Sequence, residues 1–285
     1  MALPFIPSDA AMLCVQAGVV LAPRRPPELP WIKRLSGPGW AIIPIASIVG
    51  VIFAIRYLSS TATALTWLAL IAVPLLAAAA LGWAMRGSRP WFALLTIPMF
   101  ALAWADKTTL LGQGCATLLS ALSCVTLGVL LGAVTPPRWL KLGIIAMAAA
   151  DVWLTVSDLL QSPNNTLVAA VPLPGSGLHL PQLQSELFGS ISMGYGDLFV
   201  AAVFGAILAR EGCRQWPMAL LTLVLAGAFD LLFFFVGELP ATVPVALALI
   251  IGELWQRQAR LTRRATASAD RRRWRRAAAT PRPAK

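Results

Sequence analysis

Charged residues, histidine and cysteine are scarce in this chain, and each shortage excludes a class of protein. Only 12% of its 285 residues are charged, against roughly 25% in soluble domains, so an ordinary soluble protein is excluded. His179 is the single histidine and has no obvious partner in the sequence. The four cysteines share no metal-ligand spacing; they are Cys14, Cys115, Cys124 and Cys213. We therefore expect neither a disulfide framework nor a metal site, and no cofactor.

Long apolar runs take the place of charge, and 58% of the chain is hydrophobic. A helix needs about 20 apolar residues to cross a bilayer, so the sequence predicts an all-α polytopic membrane protein with about nine transmembrane helices. In chain order, segments one to nine are residues 3–22, 38–58, 62–84, 90–106, 109–134, 139–160, 187–210, 215–237 and 239–256. In segment one, Pro4, Pro7 and Asp9 interrupt the apolar run, which continues without them from Ala10 to Ala22.

Lysine and arginine are distributed unevenly between the loops that join these segments. Alternate loops and the tail hold 21 of the 23 basic residues, and the opposite side holds only Arg56 and Lys107. Because basic loops stay in the cytoplasm, this asymmetry predicts an outside N-terminus and a cytoplasmic C-terminus. The preference for Arg over Lys and the abundance of Ala are typical of GC-rich bacterial genomes, so we expect a bacterial plasma membrane.

Composition divides the chain into three parts. Residues 1–138 contain segments one to five and are predicted to be a scaffold, whereas residues 139–256 contain segments six to nine. Residues 257–285 form a basic tail rich in Arg, Ala and Pro. The net charge of +11 would suggest nucleic acid in a soluble protein, but 11 basic residues follow Trp255 in this tail alone. We expect a disordered tail that contacts anionic lipid, and no nucleic-acid partner.

Two aspartates lie inside predicted transmembrane segments at comparable depths. Asp151 is ten residues beyond Lys141 in segment six, and Asp197 is thirteen residues before Arg210 in segment seven. At 1.5 Å per residue, these positions are roughly 15 and 20 Å from the cytoplasmic ends. Ionisable groups in hydrocarbon are costly and usually functional. Two carboxyls in one apolar site would share a proton, and such a pair can activate water for hydrolysis.

The residues before the second aspartate form the motif Gly194-Tyr195-Gly196-Asp197. Glycine has no side chain, so substrate or a neighbouring backbone could approach this aspartate closely, although small residues also serve simple helix packing. Segment nine opens on a proline, and a proline near a helix start leaves backbone carbonyls unpaired or kinks the chain. The motif therefore allows close approach to Asp197, and Pro240 predicts irregular backbone near the start of segment nine.

In combination, these features resemble the Gly-x-Gly-Asp intramembrane aspartic proteases, the presenilins and signal peptide peptidases. That family pairs an aspartate on its sixth helix with the Gly-x-Gly-Asp aspartate on its seventh, and a Pro-Ala-Leu motif opens its ninth. Here Asp151, Asp197 and Pro240-Ala241-Thr242 occupy the corresponding positions. The predicted orientation is similar to that of signal peptide peptidases and opposite to that of presenilins.

The resemblance implies an aspartic endopeptidase that cleaves transmembrane segments or signal peptides, with Asp151 and Asp197 as its catalytic pair and no metal or cofactor. It further implies a set of substrate-binding or site-shaping residues: Gly194, Tyr195, Gly196, Pro240, Ala241 and Thr242. The chain departs from the family pattern at two positions. Ala150 stands where the family usually has tyrosine, and Thr242 stands where it has leucine.

Several alternatives remain open. A potassium-channel filter also contains Gly-Tyr-Gly-Asp, but no threonine-rich pore helix precedes the motif and an apolar helix follows it directly. Prepilin peptidases share Gly-x-Gly-Asp but lack the Pro-Ala motif and the nine-helix plan. A proton-coupled transporter or a catalytically silent scaffold would use Asp151 and Asp197 for proton transfer or helix packing. Asp158 is interpreted as a solvated or hydrogen-bonded helix end, with a supporting role as the alternative. Asp230 lies deep in segment eight and is interpreted equally as a functional residue or as one that forms an interhelical hydrogen bond. We also hypothesise that part of loop 161–186 forms an edge for extended substrate.

Overall fold

The computed structural model describes residues 5–27, 59–157, 180–183, 185–234 and 239–258. Segment two and the basic tail beyond residue 258 lie outside these ranges, as does Asp158. The described chain is mostly helical. Its helices are α1 (Phe5–Leu21), α2 (Ser59–Ala79), α3 (Thr96–Ala105), α4 (Leu110–Val134), α5 (Pro137–Val156), α6 (Tyr195–Arg210), α7 (Gln215–Asp230) and α8 (242–258).

Short irregular helices extend some of these elements. A π-helix, Ala80–Ala84, continues α2, and 3-10 helices cover Pro90–Leu95 before α3 and Leu231–Phe234 after α7. Within the described ranges, three helical stretches are long and apolar enough to cross a membrane, namely Thr63–Ala84, Leu110–Val134 and Pro137–Val156. These stretches support a membrane protein, but they fall short of the nine predicted spans.

The prediction of one helix over residues 187–210 is wrong at its beginning, and the all-α description needs the same correction. Strands β1 (Ser185–Phe188) and β2 (Ile191–Gly194) form an antiparallel hairpin. Gly189 has a φ of 64° in the two-residue loop between them, a conformation that glycine adopts without strain. Side chains of β2 alternate between half-buried and exposed, which is the period of a strand rather than a helix.

Helices α4 and α6 form the centre of the bundle. From Leu198 to the last turn of α6 nearly every side chain is buried. Small residues bring the backbones together, because a Cβ at Gly128 of α4 would lie 2.7 Å from the carbonyl carbon of Ala202. At Gly205 a Cβ would lie 2.4 Å from the carbonyl oxygen of Val20 in α1. Close backbone contact therefore fixes α6 between α1 and α4.

The C-terminal ends of α4 and α6 are joined by an arginine. Arg210 Nη1 donates hydrogen bonds to the carbonyl oxygens of Gly132 (2.5 Å) and Thr135 (2.6 Å). The last carbonyls of a helix have no partner within that helix, and a cation there is favoured by the helix dipole. This contact fixes the position of α6 along the axis of α4, and with it the position of Asp197.

Candidate active site

Asp151 lies on α5 and meets the beginning of α8. Thr242 Oγ1 donates a hydrogen bond to Asp151 Oδ2 at 2.6 Å, and the backbone of Thr242 also hydrogen-bonds to this carboxyl. Thr242 is buried and begins α8. The first amide groups of a helix are unpaired and carry partial positive charge, so this position favours a carboxylate. Asp151 is thus held from outside its own helix.

Asp197 is the third residue of α6. Its Oδ2 accepts a hydrogen bond from the backbone amide of Gly194 at 3.1 Å, the contact that an acidic side chain makes when it closes the first turn of a helix. The prediction had placed Asp197 well inside a longer helix, but it lies directly after the hairpin, where strand becomes helix. The carboxyl therefore stands at an irregular point of the backbone.

The two aspartates share one region of the molecule. Helix α5 contacts α6, and the charge of Asp151 acts electrostatically on Asp197. Both side chains are half-buried. The described structure thus brings together Asp151, Asp197 and Thr242, which belong to three helices and are separated by 46 and 45 residues in the sequence.

The glycines and the tyrosine of the motif have different surroundings. A Cβ at Gly196 would meet no atom within 4 Å, so the space beside it is open. At Gly194 a Cβ would lie 3.2 Å from Asp197 Oδ2. The hydroxyl of Tyr195 shares a 2.7 Å hydrogen bond with Ser123 Oγ of α4. Tyr195 therefore anchors the start of α6, whereas helix packing does not account for Gly196.

The segment before α8 is held by a residue that the sequence interpretation did not select. Gln16 Nε2 of α1 donates to the carbonyl oxygen of Ala241 at 3.1 Å, and Gln16 is only 1% exposed. Pro240 and Ala241 are themselves half-buried. A glutamine inside an apolar helix is costly unless it is hydrogen-bonded, so its presence in segment one was a usable signal. The Pro240-Ala241-Thr242 segment thus contacts α1 as well as α5.

The hairpin before Asp197 is held at its turn by two helices. The amide of Gly189 donates to Gln113 Oε1 of α4 at 2.9 Å, and the amide of Ser190 donates to Ser8 Oγ of α1 at 3.3 Å. In the described part of the chain, β1 and β2 pair only with each other. Residues 185 and 186 of loop 161–186 belong to β1, whereas residues 161–179 lie outside the described ranges.

Loop 161–186 is also attached near its end by one of the two basic residues that the sequence predicts to lie outside. Lys107, between α3 and α4, donates from Nζ to the carbonyl oxygen of Leu180 at 2.7 Å. Burial lowers the pKa of Lys107 from its ordinary value, because a desolvated ammonium is less stable. This lysine fixes the start of the chain that leads into the hairpin.

The remaining acidic residues lie outside this cluster. Asp230, at the end of α7, hydrogen-bonds through its side chain to Asp9 of α1. Across the described ranges, no three His, Cys, Asp or Glu side chains gather in a way that could hold a metal ion. Ala150 gives Asp151 no hydroxyl from its own helix, so the hydroxyl at Asp151 comes from Thr242 instead.

Comparison with known proteins adds no relative: no family model, curated protein or solved structure matches this chain. Its fold and site define a helical membrane protein with two interacting carboxyls at the meeting point of three helices. Any function has to be argued from that site and from the motifs themselves.

Proposed function

We propose that the chain is an intramembrane aspartic endopeptidase of the Gly-x-Gly-Asp type, with Asp151 and Asp197 as its catalytic pair. The observation that carries this proposal is the convergence of α5, α6 and α8 on two carboxyls, with Thr242 bonded to the first of them. Isolated membrane aspartates serve packing or proton transfer, but two that interact beside open space suit hydrolysis better.

The chemistry requires the pair to hold a single proton. In that state the ionised carboxyl takes a proton from a water molecule, which attacks the peptide carbonyl carbon, and the protonated carboxyl donates its proton to the carbonyl oxygen. The tetrahedral intermediate then collapses as the amine leaves with a proton. Two carboxyls in apolar surroundings resist double ionisation, so a shared proton is their natural resting state.

Thr242 would orient Asp151 and favour its ionised form, because its hydroxyl donates to Oδ2. This role joins the two departures from the family pattern. The chain lacks a tyrosine hydroxyl at Ala150 and has a hydroxyl at Thr242, where the family has leucine. The hydroxyl missing at Ala150 is therefore matched by the hydroxyl of Thr242, which contacts the same carboxyl. We assign Asp151 as the carboxylate that activates water and Asp197 as the proton donor.

The substrate would be a transmembrane segment or a signal peptide. Helical peptide bonds are shielded, so substrate has to unwind before cleavage. The open space beside Gly196 gives room for an extended chain next to Asp197, and the hairpin offers strand edges directly before it. Addition of the unwound substrate to one of these edges would present its peptide bonds in extended form.

The proposed topology has nine transmembrane helices with an outside N-terminus and a cytoplasmic C-terminus. The basic loops support this orientation. In this arrangement residues 257–285 lie at the inner surface of a bacterial plasma membrane, where arginines attract anionic lipid. The lipid bilayer and the substrate are the partners that the proposal needs.

Other functions fit the same residues less well. In a potassium filter the backbone carbonyls of the motif line the pore, whereas here Gly194 ends a strand and Tyr195 begins a helix. A transporter or a silent scaffold would not require the hydrogen bond from Thr242 or the open space beside Gly196. These alternatives predict ion or proton movement without hydrolysis, or no activity.

The test is cleavage of a transmembrane peptide by the purified protein in liposomes. We expect products cut within the membrane segment, no turnover by Asp151→Asn or Asp197→Asn, and a rate that falls at alkaline pH as the pair loses its proton. Asp230→Asn is the matched control, because it neutralises another half-buried aspartate away from the pair, and it should cleave normally. Turnover that survives in either pair variant contradicts the proposal. Proton or potassium flux without cleavage would favour a transporter or a channel.

A further inference from the structure

A second polar cluster lies at the cytoplasmic ends of the same three helices. Lys141 Nζ of α5 donates to Glu211 Oε1, just after α6, at 2.5 Å and also to Glu253 Oε1 of α8. Side-chain exposures are 18% for Lys141, 22% for Glu211 and 31% for Glu253. The three charges therefore form a partly buried network. We call these three residues the basal triad.

Helix electrostatics and membrane orientation do not explain the basal triad. Glu211 follows the last turn of α6, where the helix dipole disfavours a carboxylate. The positive-inside rule explains a lysine near this end of the helices, but it does not explain the two glutamates. Both carboxylates lie within hydrogen-bond reach of one ammonium, so they would repel each other without it. The attraction of Lys141 for Glu211 and Glu253 accounts for the presence of all three charges.

Each member of the basal triad lies on, or directly after, the helix that carries one residue of the proposed active site. Lys141 precedes Asp151 by ten residues, Glu211 follows Asp197 by fourteen, and Glu253 follows Thr242 by eleven. At 1.5 Å per residue these separations are about 15, 21 and 16 Å. Helices α5, α6 and α8 are thus joined at two levels. A change in spacing at the lower level alters the spacing at the upper level, because helices transmit displacement as rigid rods.

We propose that the basal triad positions the two aspartates: Lys141 draws the ends of α6 and α8 toward α5 and so holds Asp151, Asp197 and Thr242 at their working distance. This inference rests on the proposed protease function only for its kinetic consequence. The geometric consequence, a fixed spacing at Asp151 and Thr242, is independent of any activity.

The kinetic test compares Lys141→Met, which removes the charge, with Lys141→Arg, which keeps it. We expect Lys141→Met to lower kcat about ten- to hundredfold, the size of effect that small misplacement of reacting groups produces, with KM nearly unchanged. Lys141→Arg should retain most activity. The inverted triad Lys141→Glu, Glu211→Lys, Glu253→Lys should restore it, because the attraction is rebuilt with opposite signs. Arg138→Met is the control, because it removes a positive charge from the same end of α5, where the guanidinium lies 5.3 Å from the centroid of the Trp139 ring.

The geometric test uses disulfide formation between Asp151→Cys and Thr242→Cys after the four native cysteines are replaced by alanine. The double-cysteine protein with Lys141 intact is the parent. It should cross-link rapidly, because Thr242 Oγ1 and Asp151 Oδ2 are 2.6 Å apart in the native protein. Lys141→Met should slow cross-linking several-fold and the inverted triad should restore it. The neutral variant Lys141→Met, Glu211→Gln, Glu253→Gln should stay slow although it leaves no unpaired charge. That variant separates lost attraction from misfolding.

The outcomes distinguish this inference from the proposed function. Cross-linking that responds to Lys141→Met in a protein that never cleaves would support positioning and refute the protease. Cross-linking at the parent rate in folded Lys141→Met would overturn positioning, even if cleavage were lost. In that case the basal triad would be an ion pair of the ordinary surface kind, with little energetic effect.

Discussion

The hydroxyl of Thr242 donates a hydrogen bond to Asp151, and its removal is a direct test at the scale of one residue. Thr242→Val keeps the shape and loses the donor, so kcat should fall about ten- to hundredfold, because a hydrogen bond to a charged group contributes roughly 1.5–3 kcal/mol. Thr242→Ser should retain most of the rate. Peptide cleavage under saturating substrate measures both.

The control for this prediction restores the family pattern. Thr242→Leu combined with Ala150→Tyr moves the hydroxyl from α8 to α5, and we expect it to recover part of the activity that Thr242→Leu alone loses. If Thr242→Val cleaves as fast as the wild type, the hydroxyl has no part in the chemistry.

Two glycines offer a matched pair with opposite expectations. Gly196→Ala meets open space and replaces a poor helix former at the start of α6, so thermal stability should be unchanged or raised. Its cleavage rate should nevertheless fall, because the new methyl group occupies space beside Asp197. Gly128→Ala places a Cβ 2.7 Å from backbone of α6, so it should destabilise the fold by roughly 1–3 kcal/mol.

Thermal unfolding in detergent and peptide cleavage, measured on the same preparations, separate these effects. A Gly196→Ala protein that is stable and fully active would mean that the open space has no role with substrate. Equal stability of Gly128→Ala and the wild type would contradict the close contact between α4 and α6.

At the scale of elements, hydropathy predicted which helices exist better than where they begin. Segment six and α5 agree closely, and Asp151 was placed correctly on that helix. The start of α6 was missed because a window of about 20 residues averages over β2, whose four residues alternate in polarity. The glycine of the hairpin turn, Gly189, was a local signal that such averaging hides. Asp197, the candidate-site aspartate nearest that error, therefore lies at the start of a helix rather than within one.

Contacts between distant segments could not be predicted from one sequence. The loops indicated that Asp151 and Asp197 lie at similar depths, and the family resemblance pointed to Thr242. Neither revealed that Thr242 bonds to Asp151, or that Gln16 bonds to Ala241. Hydropathy gives depth along the membrane normal but no information on which faces of the helices meet. Rotation about each helix axis depends on side-chain packing throughout the bundle.

At the scale of the whole molecule, hydrogen bonds cross the predicted division at residue 138. Helix α1, predicted to be scaffold, bonds to the hairpin through Ser8 and to the segment before α8 through Gln16. Helix α4, also on the scaffold side, bonds to Tyr195 and to Gly189. The proposed active site is therefore supported by both halves of the chain, and loss of α1 should disturb it.

Helix α1 also meets α7 at two carboxyls, and we expect this contact to make the stability of the fold depend on pH. Asp9 and Asp230 are hydrogen-bonded to each other, and two carboxyls can form such a bond only while one of them holds a proton. The contribution of this bond is present at low pH and is lost as pH rises and the pair becomes doubly charged. We predict that the unfolding temperature falls by a few degrees between mildly acidic and mildly alkaline pH, since a bond of this kind contributes roughly 1–3 kcal/mol.

Asp230→Asn isolates this effect, because its amide donates to ionised Asp9 without needing a shared proton. Its unfolding temperature should depend less on pH than that of the wild type. Asp151 and Asp197 would also share a proton in the proposed function, so the comparison is repeated in an Asp151→Ala background. In that background, the unfolding temperature of the protein with Asp230 should still depend more strongly on pH than that of the Asp230→Asn protein. Equal pH dependence of the two proteins in both backgrounds would show that the bond between α1 and α7 does not contribute to the stability of the fold.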